Sequence, residues 1–162
     1  MLPSPDMYYK KIGSLIHLQV RAARELHSAM EKQLNALREN NISLINQAIE
    51  SLQSLSQKLE TLDRKRAYLI QSLGFNNTPE GMNDCFQWCD HSGQLKTMWN
   101  NLLNISKKCQ QQNLSNGAIT QLKYRHAGRA MNIIQGSRRN SETYNTKGQS
   151  HRHANPNKLA SA

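Results

Sequence analysis

Gln94-Leu95-Lys96-Thr97-Met98-Trp99, read on through Leu102, Ile105 and Cys109 to Asn113-Leu114-Ser115-Asn116-Gly117-Ala118-Ile119, is the stretch that decides the fold. Counted in heptads from Leu95, one seam position holds Leu95, Leu102, Cys109, Asn116, Lys123 and Ala130. The other holds Met98, Ile105, Gln112, Ile119, His126 and Ile133. Alternating steps of three and four keep such a stripe on one side of an α-helix. The pattern predicts a long helix over about 94–135, ended by Gly136. The stripe is apolar as far as Cys109 and then thins at Gln112, Asn116, Lys123 and His126. A seam that closes poorly on its own chain is open to another chain. Asn116-Gly117 is also a turn signal, and Gly117 and Gly128 each cost a helix about 1 kcal/mol relative to alanine. Two readings therefore stand: a continuous helix with a kink near Gly117, or two shorter helices with a loop between them.

Upstream, the same period recurs twice. Helix one is expected over about 7–38, with columns Tyr9, Ile16, Ala23, Met30, Leu37 and Tyr8, Leu15, Ala22, Ala29, Ala36. Ile12 and Leu26 form a third column in which Gln19 and Gln33 are polar gaps. Helix two is expected over about 42–73, with Ile45, Leu52, Leu59 and Leu73 in one column, Ala48, Leu55, Leu62 and Leu69 in a second, and Ile42, Ile49 and Ile70 in a third. Asn41 reads as its N-cap and Gly74 as its stop. So short a break between helices of similar length implies an antiparallel hairpin. Residues 74–93 form a connector, in which Thr78-Pro79 opens a short helix over about 80–89. Ser137 to Ala162 is polar, basic and without apolar periodicity, a composition expected to be disordered.

Composition narrows the function classes. The formal net charge is +10, but on the first two helices basic residues alternate with acidic ones, as on a solvated surface. A nucleic-acid binder concentrates its cations on one face. No apolar run approaches the roughly 18 residues of a membrane span, and the N-terminus lacks an apolar signal core. Three cysteines give no paired framework, so a reducing, cytoplasmic setting is expected. Cys85, Cys89 and His91 lack the spacing of a zinc site; Cys85 and Cys89 read as small buried thiols beside Phe86 and Trp88, and no metal or cofactor is expected. No phosphate loop, nucleophile elbow or paired metal-binding histidines occur, and after Asp90 the sole acidic residue is Glu142. The chain is not expected to be an enzyme or to take a small-molecule substrate.

The ordered succession Asn113-Leu-Ser-Asn116-Gly117, Asn132-Ile-Ile-Gln-Gly136 and Tyr144-Asn-Thr-Lys-Gly148 resembles the FlgN family of flagellar type III export chaperones, over roughly residues 8–150. Asn145 departs from the glycine common in that family after the tyrosine. The Cys85–Cys89 connector has no counterpart there. The resemblance implies an all-α fold: an antiparallel hairpin of two long helices, a third long C-terminal helix, and a tail. It implies a helical chaperone domain over 1–136 and a tail over 137–162, with Asn116-Gly117 inside a helix. It further implies a cytoplasmic chaperone that binds helical C-terminal segments of hook–filament junction proteins, keeps them from assembling early and delivers them to the export gate. On this reading the cargo surface comprises Leu114, Asn116, Gly117, Ile119, Leu122, Ala130, Ile133 and Ile134. Tyr144 would dock on the cytosolic domain of the gate. No nucleic acid and no membrane insertion are expected. The alternatives are a structural coiled-coil or bundle oligomer, and a basic nucleic-acid adaptor using Lys107, Lys108, Lys123, Arg125, Arg129 and the tail.

Overall fold

Four helices form in chain order: α1 (Pro5–Glu39), α2 (Ile42–Ser72), α3 (Pro79–Cys89) and α4 (Gln94–Arg139). The structure, a computed structural model, describes residues 4–139, with side chains as far as residue 135. Their boundaries have local causes. Pro5 occupies the first turn of α1, where a missing N–H costs nothing. Asn40 ends α1 in the left-handed region (φ 55°), which asparagine tolerates better than most residues. The next residue starts α2, because Asn41 Oδ1 accepts from Leu44 N at 3.1 Å. Thr78 Oγ1 accepts from Gly81 N at 3.1 Å and opens α3. A Cβ on Gly81 would sit 2.1 Å from the Asn76 carbonyl oxygen, so the turn into α3 needs glycine at that position.

Asp90 organises the start of α4. Its carboxylate accepts from the backbone N–H groups of Gln94, Leu95 and Lys96 and from Ser92 Oγ. Burial pushes this carboxyl up, but the bonds from Lys96, Ser92, Leu95 and Gln94 together outweigh it and hold it below its ordinary value. This is a carboxylate satisfying the orphan donors of a helix N-terminus.

The chain divides into two units, residues 1–120 and 121–162. In the first, α1 and α2 are antiparallel: Glu25 meets Lys58 at 3.5 Å and Gln19 meets Asp63 at 3.4 Å, so partners advance on one helix as they retreat on the other. Over this unit α4 runs the other way, parallel to α1. Tyr9 bonds Gln94, Cys109 Sγ donates to the Ala23 carbonyl, and Asn116 bonds the Met30 carbonyl, all at sequence separations of 85 or 86. The core follows that seam: Ile12, Ile16, Ala23 and Leu26 from α1, Ile70 from α2, and Leu95, Leu102, Ile105 and Cys109 from α4. Fully burying each leucine or isoleucine contributes roughly 1.5–3 kcal/mol. The short α3 closes one end with Met82, Cys85, Phe86 and Cys89 buried, and Trp88 packs between Tyr8 and Phe75 at centroid distances of 6.2 and 5.9 Å. The architecture is an all-α helical bundle.

Several local expectations differ from what forms. α4 is continuous through Asn116-Gly117, without a loop, and passes Gly136 to the last described residue, Arg139. A helical cost of about 1 kcal/mol is too small to break a helix by itself, and the next proline, Pro156, lies twenty residues beyond Gly136. Ile42 is 74% exposed and Ile49 is exposed too, although their column in α2 is apolar; Ile70 in the same column is fully buried. Gln19, expected as a polar gap, is buried instead. The expected tail beyond Arg139, with Tyr144, lies outside the described residues.

Candidate functional site

The apolar stripe of α4 meets two fates. In the first unit, Leu95, Leu102, Ile105 and Cys109 are buried, and the buried run closes on a polar residue. Asn116 is 3% exposed. Its amide donates to the Met30 carbonyl at 2.9 Å and to Gln33 Oε1 at 2.8 Å, and its own oxygen accepts from Gln112 Nε2 at 2.9 Å. Both amide protons and the carbonyl are engaged, so a polar residue is tolerated where a leucine would be expected. Gln33, the second expected polar gap of α1, is one of its partners. Around this clasp Leu114 is 68% exposed, Gly117 is exposed and Ile119 is half-buried.

In the second unit every residue from 121 to 135 is exposed except half-buried Lys123. That span includes Leu122 (47%), Tyr124, Met131, Ile133 (71%) and Ile134. At about 100° per residue, Leu122 and Ile133 fall within about 20° of each other, with Ala130 and Ile134 inside an arc of about 120°. Tyr124 and Met131, one heptad apart, take the other side. Lys123, Arg125 and Arg129 are interleaved, without a single acidic side chain. Contiguous exposed apolar surface marks sites of interaction, and an amphipathic helix offers that surface to another helix.

Of the expected cargo residues, Leu122, Ala130, Ile133 and Ile134 therefore share one side of the second unit. Leu114, Gly117 and Ile119 belong to the first. Asn116 faces inward and is spent on α1. Tyr124 and Met131, on the side of the helix opposite Leu122 and Ile133, were not among the expected residues.

The cysteine chemistry is inert. Cys85 is pushed up to about 12, by burial and by its neighbour Cys89, and burial also raises Cys89 and Cys109. Neutral thiols are poor nucleophiles and poor metal ligands. Cys85 and Cys89 are buried while His91 is exposed. Among the described residues no group of three or more His, Cys, Asp or Glu could hold a metal, and no helix is long and apolar enough to cross a membrane.

Comparison with known families matches the FlgN protein family model over residues 7–152. The fold is similar to the crystal structure of a flagella synthesis protein FlgN from Pseudomonas aeruginosa, with 25% identity, a TM-score of 0.63, and coverage of 74% of this chain and 90% of that one. Comparison with curated protein sequences finds no match.

Proposed function

Since the chain belongs to the FlgN family and so has a role in making the flagellum, we propose that it is a cytoplasmic export chaperone for hook–filament junction proteins. It binds their helical C-terminal segments, keeps them from assembling early, and presents them to the cytosolic domain of the export gate. It does so by binding alone, without catalysis or cofactor. The observation that carries this reading is the exposed apolar run in residues 121–135, with Leu122, Ile133 and Ile134 on one side of α4. An amphipathic cargo helix laid along that side buries apolar area that the chaperone otherwise exposes; Leu114 and Ile119, in the first unit, are assigned to cargo binding as well. Tyr144 is assigned to gate docking, with Arg138, Arg139 and Lys147 steering it toward an acidic surface.

The test is titration of the full chain with the C-terminal segment of a junction protein from the same organism. Leu122→Asp and Ile133→Asp should each weaken binding by at least about tenfold, or 1.4 kcal/mol, with unchanged helical content. Tyr144→Ala should leave that affinity alone and reduce capture by the isolated gate domain at low salt. Normal cargo binding by both aspartate variants would overturn the assignment.

A further inference from the structure

α4 carries charge of one sign. Its lysines and arginines run from Lys96 to Arg139, and it holds no aspartate or glutamate. The hairpin differs: Arg21 and Lys58 both meet Glu25, Arg64 meets Glu60 and Arg66 meets Asp63, so cations there find carboxylates on α1 and α2 themselves. In the second unit Arg125 and Arg129 are exposed, and neither forms an ion pair among the described residues. They stand four residues apart, about 6 Å along the axis, a spacing at which like charges oppose the helix that carries them. The helix macrodipole favours cations only within the last turn, so it does not account for cations as far in as Arg125.

Their place beside the apolar side gives the pair its meaning. At about 100° per residue, Ile133 lies about 20° to one side of Leu122, and Arg129 and Arg125 lie about 20° and 60° to the other. The exposed apolar run of Leu122, Ala130, Ile133 and Ile134 is therefore bordered along one edge by two guanidiniums on successive turns. In paired helices that edge is where charged side chains select the partner. A guanidinium takes a carboxylate through two parallel hydrogen bonds. A nucleic acid calls for cations across the face; here Leu122 and Ile133 stand beside them and offer area that excludes water.

We infer that residues 121–135 dock an acidic amphipathic α-helix of another protein, its apolar residues against Leu122, Ile133 and Ile134 and carboxylates one turn apart on Arg125 and Arg129. This rests on the cargo reading of the same surface and adds the charge of the occupant. The experiment uses the full chain and two fluorescein-labelled synthetic helices of about 18 residues, roughly 27 Å long, with leucine at the heptad positions and either glutamate or glutamine beside them. Anisotropy should show the glutamate helix bound at least about tenfold more tightly than the glutamine helix, with the difference shrinking as salt rises. Arg125→Glu with Arg129→Glu should abolish that preference, and Arg125→Gln with Arg129→Gln should reduce it. Lys10→Glu with Lys65→Glu removes the same net charge at two exposed positions of the hairpin and should keep it. Leu122→Asn should weaken both helices. All these sites are exposed, so far-UV circular dichroism should be unchanged. Equal binding of the two helices by the parent, or a preference that survives Arg125→Glu with Arg129→Glu, would overturn the inference. So would equal loss of preference in the two glutamate double variants, which marks general attraction to a chain of +10. Tighter binding of a short DNA duplex or of phosphatidylglycerol vesicles than of the glutamate helix would overturn it as well. A junction-protein segment that binds through Leu122 but ignores Arg125 and Arg129 would sink this inference and leave the cargo reading standing. A glutamate preference carried by the two arginines, with no binding of such a segment, would do the reverse.

Discussion

α4 carries one sequence pattern through two environments. Between Leu95 and Cys109 its leucines and isoleucines interlock with Ile12, Ile16, Ala23 and Leu26. Between residues 121 and 135 it carries Leu122, Tyr124, Met131, Ile133 and Ile134, all exposed. The second stretch keeps large apolar side chains although its seam positions thin to Lys123 and His126, and both are helical. Burial is thus not a property of the stripe; it belongs to the pair of stripes. The seam stays apolar where α1 supplies Ile16 and Ala23, and turns to Asn116 where α1 supplies a backbone carbonyl and Gln33.

Paired substitutions across the two stretches should break the symmetry most strongly. Leu102→Ala removes a buried side chain and should cost about 2–5 kcal/mol of unfolding free energy. Leu122→Ala should fall within about 0.5 kcal/mol of the parent. Urea denaturation of the two variants measures the contrast, and similar losses would show that residues 121–135 are buried in solution.

The clasp between the stretches is the next lever. Asn116→Ala leaves Gln33 Oε1 and the Met30 carbonyl without their donor, and should cost about 1–3 kcal/mol. Asn116→Leu should lose less, because added apolar contact offsets part of that penalty. Hydrogen exchange near Met30 and Gln33 reports whether the seam has opened there.

A smaller effect is expected where the packed stretch begins. Asp90→Asn weakens the acceptor of the Gln94, Leu95 and Lys96 N–H groups and should cost on the order of 1 kcal/mol. The pH dependence has a definite sign. A carboxyl held below its ordinary value contributes stability that is present above the unfolded pKa of about 3.9 and is lost as pH falls through the lower folded value. Acid unfolding of the parent should therefore contain a component, below about pH 4, that Asp90→Asn lacks. The smallest effect expected is none: chelator should leave the melting temperature of both stretches unchanged, whereas loss of a structural zinc would remove on the order of 10 kcal/mol of binding free energy.

Much of the fold was legible in residue spacing alone. The apolar columns of α1 and α2 mark two long helices; Asn41 and Thr78 mark starts that their side chains then make. The thinning of the α4 stripe was legible as well, but not its meaning. Gln112 and Asn116 look the same in sequence whether a seam is fraying or is tied by a hydrogen-bonded clasp, since the deciding partners, Gln33 and the Met30 carbonyl, are more than eighty residues away.

By itself, then, the sequence determined the helices and the resemblance in its motifs, because periodicity and capping act between residues within a turn or two of one another. The tertiary structure alone decided that α4 lies parallel to α1 over the first unit, that Ile42 and Ile49 are exposed while Ile70 in the same column is buried, and that Gln19 and Asn116 are interior residues. Those outcomes depend on which faces meet across the bundle, and a stripe of apolar residues is free energy only once another surface excludes water from it.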